Sequence, residues 1–219
     1  RHDFLLKTDV LEIVLGDEHL MSDLFTTSET ALATLGLAYH REQAGGKRQV
    51  DVVVGGLGLG YTAEAVLQDS SVSSLRVIEA LQAIIDWHET GLLPLGNTLC
   101  ADPRCKFVCS DFFTCARAEV GFDAAQPKRR FDAILVDIDH SPNFHLAPEN
   151  ASFYSVKGFS GLKTQLAKNG VFGLWSNDPP DDNFTKLLRT VFGHANANRV
   201  IFANPYQNID VTQTIYLAR

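Results

Sequence analysis

The stretch V-D-V-V-V-G-G-L-G-L-G (residues 50–60) joins a run of β-branched residues to Gly55, Gly56, Gly58 and Gly60. The valines predict a strand buried on both faces, as in a parallel sheet. The next residues, Y-T-A-E-A-V-L-Q (61–68), predict a helix. A strand, a glycine turn and a helix N-terminus together make a ligand site, because positions without Cβ let a nucleotide approach the backbone. Gly56, Gly58 and Gly60 give G-x-G-x-G, one residue tighter than the G-x-G-x-x-G of dinucleotide-binding turns. The spacing therefore argues against a dehydrogenase. The competing reading is a turn that merely connects a strand to a helix.

Toward the C-terminus, L-R-V-I-E-A (75–80) predicts a second strand ending at Glu79. An acidic residue there, in a doubly wound sheet, can accept hydrogen bonds from both ribose hydroxyls of a nucleoside. A helix over 81–90, a long loop over 91–103 and a third strand over 106–110 follow, closed by Asp111-Phe112. A polar connection (121–130) leads to F-D-A-I-L-V-D-I (131–138), a buried strand with Asp137 at its carboxyl end. Then come an amphipathic helix (153–166), a fifth strand (170–175), a helix (181–192) and two closing strands (199–203, 214–218) around Pro205-Tyr206.

Toward the N-terminus, Gly45 to Arg48 is a polar break, preceded by a helix within 23–44 that Thr26 or Thr27 would cap. Leu32, Leu35, Leu37 and Ala38 form its apolar side. Residues 8–22 read as a β-hairpin turning at Gly16-Asp17, with Leu11, Ile13 and Leu15 on one face. The expected architecture is α/β, a doubly wound Rossmann-like sheet of seven mostly parallel strands with an antiparallel last one. It divides into a hairpin segment (1–24) and a nucleoside-binding domain (25–219). Ligands in such sheets lie outside the carboxyl ends of the strands, where Gly55 to Gly60, Glu79, Asp111 and Asp137 converge.

With 219 residues, 45% of them hydrophobic, the chain can build one domain with a substantial core. It has no apolar run that could span a bilayer and no signal-peptide pattern, so no membrane partner is expected. A net charge of −7 with scattered Lys and Arg argues against nucleic acid and fits a small cationic substrate. Cys100, Cys105, Cys109 and Cys115 lack C-x-x-C spacing, and Cys109 falls in a strand expected to be buried. They read as reduced thiols of a cytoplasmic protein rather than zinc ligands. Met21 is the sole methionine, so residues are expected to precede Arg1 in the natural protein.

Taken with the G-x-G-x-G spacing that S-adenosylmethionine-type folds use, the chain resembles the spermidine synthase (polyamine aminopropyltransferase) family of the class I methyltransferase fold. The resemblance runs from about Asp51 to the C-terminus and more loosely through the hairpin. Val54 stands where ordinary methyltransferases place an acidic residue, and Gly55-Gly56 and Glu64 follow the aminopropyltransferase pattern. Ser110-Asp111-Phe112 is similar to the family's adenine-contacting turn, and Val136-Asp137 with Ser141-Pro142 to its catalytic loop. Pro205-Tyr206 lies near the place of a tyrosine that helps hold the amine. The resemblance implies S-adenosylmethionine or its decarboxylated form as donor, a small-molecule amine as acceptor, and a homodimer. Three positions depart from the pattern. Gly58 replaces an Asp that contacts the aminopropyl end of the donor. Asp137 and Asp139 are two apart rather than three, with His140 in the third place. Thr27-Ser28 replaces a tyrosine–glutamine pair.

His140 and His145 share a loop with Asp137 and Asp139, but extended-chain alternation gives them no convincing ligand spacing, and no metal is expected. Trp175 with Asp178 reads either as a cation-binding rim with an aromatic wall, or as a solvated loop in which Asp181 or Asn183 caps the next helix. The expected activity is alkyl, in particular aminopropyl, transfer from a sulfonium nucleoside to an amine. Asp137 is the catalytic carboxylate, and Asp139, Trp175, Asp178 and Tyr206 hold the acceptor. Without a carboxylate at Gly58, intact S-adenosylmethionine is expected to bind well. The alternatives are a small-molecule methyltransferase and a nucleoside-binding protein without catalysis.

Overall fold

A computed structural model describes residues 1–45, 49–117 and 119–219, so residues 46–48 of the predicted polar break lie outside the described residues. Two small ribbons open the chain: β1 (His2–Asp3) with β2 (Thr8–Asp9), and the hairpin β3 (Glu12–Leu15) with β4 (Glu18–Ser22). Helix α1 (Thr27–Ala44) leads to the sheet, made of β5 (Val50–Gly55), β6 (Val72–Glu79), β7 (Cys105–Cys109), β8 (Phe131–Val136), β9 (Leu166–Ser176), β10 (Ala195–Asn204) and β11 (Ile209–Ala218). The connecting helices are α2 (Tyr61–Leu67), α3 (Gln82–Glu89), α4 (Gly96–Ala101), α5 (Phe112–Cys115), α6 (Val156–Lys163) and α7 (Asp182–Phe192).

The strand order is β10-β11-β9-β8-β5-β6-β7. Strands β5 to β9 pair in parallel, and β11 inserts antiparallel between β9 and β10. The order reverses beside β5, and the crevice at that switch point is where such sheets hold ligands. Burial on both faces explains the valine run. Val52 and Val54 join one core with Leu32, Ala63 and Leu75, while Val53 joins the other with Phe112, Phe131 and Phe172.

Several elements differ from the sequence reading. The closing strands pair over ten residues, Ala195 opposite Ala218 through Asn204 opposite Ile209, and so outrun the short apolar segments that suggested them. The loop over 91–103 contains α4, and the helix expected over 153–166 shortens to α6 because Ser155 caps it, accepting from Gly158 N at 3.1 Å. Thr26 occupies the N-cap position of α1 without a side-chain capping bond. A register shift between Ile13 and Val14 breaks the alternation of the hairpin, burying Ile13 and exposing Leu11 and Leu15. Cys109 is exposed because β7 is an edge strand. Among the described residues, no helix is long and apolar enough to cross a membrane.

Candidate functional site

The glycine turn after β5 is shaped by what crowds against it. Gly56 has φ +92°, and a Cβ there would run into the carbonyl of Asp137, so the turns after β5 and β8 touch. Gly58 has φ +48°, and a Cβ there would strike Met21 Sδ, which also accepts from Leu59 N at 3.1 Å. Thus the thioether of β4 fills the space beside Gly58, the position at which the glycine turn departs from the pattern of the resemblance. His88 Nε2 donates to the Gly58 carbonyl at 2.9 Å, and burial lowers the pKa of this ring, keeping it neutral. We predict that Gly58→Asp lowers the thermal midpoint and that adding Met21→Ala restores part of it. Because φ stays positive, recovery is incomplete. A Gly58→Asp chain as stable as the original would show that the thioether does not constrain the loop.

Glu79 ends β6, is 8% exposed, and holds the turn from below. Its Oε2 accepts from Leu57 N and its Oε1 from Leu81 N, both at 2.9 Å. Each oxygen retains a second lone pair. Asp111 caps α5, its Oδ1 accepting from Thr114 N at 2.5 Å, with Phe112 buried behind it. These groups line a cavity of about 530 Å³. The opposite wall comes from the hairpin and the segment after it, including Ile13, Leu20, Met21 and Phe25.

Asp137 also lines this cavity, where β8 ends. Its N–H donates to the Gly55 carbonyl at 2.8 Å, and its Oδ2 accepts from Thr62 Oγ1 at 2.8 Å. A second carboxyl, Glu29 in the first turn of α1, opens into the same space. Glu29 Oε2 accepts from Ser28 Oγ at 2.8 Å, and Ser28 Oγ accepts from Trp175 Nε1 at 2.8 Å. Burial raises the pKa of Glu29 to about 7, with the charge of Asp137 adding to the effect. Burial also raises Asp137, to about 6, against the hydrogen bond from Thr62 that lowers it.

The residues singled out from the sequence divide into two groups. Gly56, Gly58, Glu79, Asp111, Phe112, Asp137 and Trp175 share the cavity lining. Gly55 and Gly60 stand behind it, against the Phe112 ring and the Leu99 side chain. Asp139 faces the scaffold: it is 2% exposed and accepts from Leu146 N (2.8 Å), Asn150 Nδ2 (2.9 Å) and Tyr154 Oη (2.8 Å). Burial and this carboxylate keep Tyr154 protonated well beyond its usual range. Asp178 is exposed in a turn outside the lining, anchored by its carbonyl to Thr214 Oγ1 at 2.7 Å, while Asp181 caps α7. Tyr206 donates to Asp3 Oδ2 at 2.6 Å, tying the closing loop to the N-terminal ribbon. None of Asp139, Asp178 and Tyr206, each expected to hold the acceptor, lines the cavity.

His140 Nε2 lies 3.0 Å from Glu18 Oε1, and His145 Nε2 donates to the Pro142 carbonyl at 2.8 Å. No group of three or more His, Cys, Asp or Glu among the described residues is arranged to hold a metal ion.

Sequence reasoning missed Glu29, Thr62 and the place of Met21, and noted Ser28 only as a departure from the family's pattern. The available signal was T-T-S-E (26–29), a T-x-x-E spacing whose ordinary meaning is a capping box. Here Thr26 makes no capping bond and the Glu29 carboxyl faces the cavity instead.

No protein-family model matches the sequence, and no curated protein matches it. Among solved structures, the chain is similar to spermidine synthase from Thermotoga maritima, with a TM-score of 0.70 and 17% identity over 94% of this chain and 64% of that one. A spermidine synthase in complex with the transition state analogue AdoDATO gives a TM-score of 0.68 and 17% identity, again over 94% and 64%. Human methyltransferase-like protein 13 in complex with SAH gives 0.63 and 18%, over 88% and 82%. The fold is thus the Rossmann-like fold of class I methyltransferases and spermidine synthases. The chain spans 64% of the length of the spermidine synthases it matches.

Proposed function

We propose that the protein is a spermidine synthase-like transferase that moves an aminopropyl group from a decarboxylated S-adenosylmethionine-type sulfonium nucleoside to a small amine. The charge of the cavity carries this reading. Its described lining holds Glu29, Glu79, Asp111 and Asp137 and no Lys or Arg. A sulfonium and an ammonium both suit such a lining, whereas the carboxylate of intact S-adenosylmethionine would meet no cation and four acids. This weighs against the sequence-based expectation that the intact donor binds well. With Asp139, Asp178 and Tyr206 elsewhere, the acceptor's nitrogen sits at Asp137 and its body rests against Trp175 and Phe25.

One observation favours a second reading. Met21 Sδ occupies the space beside Gly58, so no carboxylate waits there for a donor ammonium. A methyltransferase using S-adenosylmethionine would need none. Calorimetric titration with S-adenosylmethionine, its decarboxylated form and methylthioadenosine separates the readings. Aminopropyl transfer predicts that the decarboxylated donor binds about tenfold tighter or more than the intact one, equivalent to about 1.4 kcal/mol. Equal affinities together with methylation of an amine would replace this reading by the second, and binding of none of the three would remove both.

A further inference from the structure

We propose that Glu29 is the proton acceptor of the site, working with Asp137 as a carboxyl pair in which Asp137 holds the acceptor's nitrogen and Glu29 takes its proton. This rests on the amine-transfer reading.

The two carboxyls come from distant parts of the chain and share one cavity. Thr62 Oγ1 lies 2.8 Å from Asp137 Oδ2 and 3.3 Å from the Glu29 carbonyl oxygen, so the first turns of α1 and α2 meet the end of β8 at a single hydroxyl. Among the described residues no Lys or Arg pairs with either acid. Two carboxyls in a sheltered space without a cation cannot both stay ionised at little cost. They hold a proton between them or receive a cationic ligand.

Each acid accepts one hydroxyl, Asp137 from Thr62 and Glu29 from Ser28. Their places in the fold distinguish them: Asp137 follows a buried strand that fixes its position, whereas Glu29 projects from the first turn of α1. Glu29 is 7% exposed, and burial, with the Asp137 charge acting in the same direction, raises its proton affinity. Trp175 donates to Ser28 and Ser28 to Glu29, a chain that sets the orientation of the carboxyl. The other titratable groups around the pair are Glu79 and Asp111 in the same lining, Tyr61 on α2 with Asp23 and Glu64 beside it, and His19 and His140.

An acceptor entering as an ammonium loses one N–H proton to a Glu29 carboxylate oxygen, and the freed lone pair attacks the carbon attached to sulfur. The C–S bond breaks with its electrons going to sulfur, which leaves as a neutral thioether while the nitrogen becomes cationic beside Asp137. A base with affinity near neutrality suits this step better than an ordinary carboxylate.

The test uses the full chain. Infrared titration of the carboxyl C=O band should show a protonated carboxyl in the wild type that disappears as pH rises toward neutrality. Glu29→Gln should remove the component that titrates highest and leave that of Asp137, and in Asp137→Asn the Glu29 component should titrate at lower pH. In turnover assays, Glu29→Gln should lower kcat by about 10²-fold and lose the acid limb of the pH profile, with methylthioadenosine affinity changed less than about twofold. An unchanged band in Glu29→Gln, or normal turnover by that variant, overturns the proposal. If the band follows Glu29 but the wild type alkylates no amine, the amine-transfer reading falls, and with it the role of Glu29 as proton acceptor, while the shared-proton pair remains.

Discussion

Asp137→Asn should lower turnover by about 10²- to 10⁴-fold while methylthioadenosine binds as before. An alkyl ammonium has a free pKa near ~10, so at neutral pH the nitrogen arrives protonated and positively charged. Positive charge leaves sulfur and builds on nitrogen as the new bond forms, and a carboxylate beside the nitrogen favours that state over the ground state. Asparagine keeps the shape and can still accept from Thr62 but removes the charge. Near-normal turnover would move the role to another group.

The same substitution has a signature without substrate. Both acids of the pair have folded pKa values raised above the ordinary carboxylate range, Asp137 to about 6 and Glu29 to about 7. The folded chain therefore binds more protons than the unfolded one between about pH 4 and 7, and stability falls as pH rises through that window. Asp137→Asn removes one member and lowers the affinity of the other, so the slope should flatten in urea titrations at pH 5 and pH 8. A slope equal to that of the wild type would show that the pair is not buried as described.

Glu79→Ala should weaken methylthioadenosine binding by about 10²-fold or more. Two charge-assisted hydrogen bonds to ribose are worth roughly 1.5–3 kcal/mol each, and water replaces part of the loss. The structure adds a second reason, because Leu57 N and Leu81 N both donate to this carboxylate. Removing it loosens the glycine turn as well as the sugar contact. Glu79→Gln keeps one oxygen and separates the two effects, retaining more thermal stability than Glu79→Ala while still losing affinity. Equal affinity in wild type and Glu79→Ala, measured by calorimetry, would sink the ribose assignment.

The part of the site formed by the central strands was legible because local rules determine it. A β-branched run, positive-φ glycines and strand-end acids at Glu79 and Asp137 each announce their place in a parallel sheet. The acceptor side was not, because a carboxylate's role depends on what folds over it. Asp139, two residues from Asp137, lies past the end of β8, where strand alternation no longer sets its direction, and is consumed by Leu146, Asn150 and Tyr154. Tyr206 was drawn off by Asp3, a partner nearly the whole chain away. Glu29 stands at the spacing of an ordinary capping box, and only the tertiary approach of α1 to Thr62 and Asp137 gives it another use.

The sulfur that packs against Gly58 belongs to the only methionine in the sequence. Carrying an isotope label in its terminal methyl, Met21 gives a methyl resonance that originates on the wall of the cavity beside the glycine turn. The chain thus contains its own reporter: ligand occupancy can be followed at a single atom without adding a probe or changing a residue.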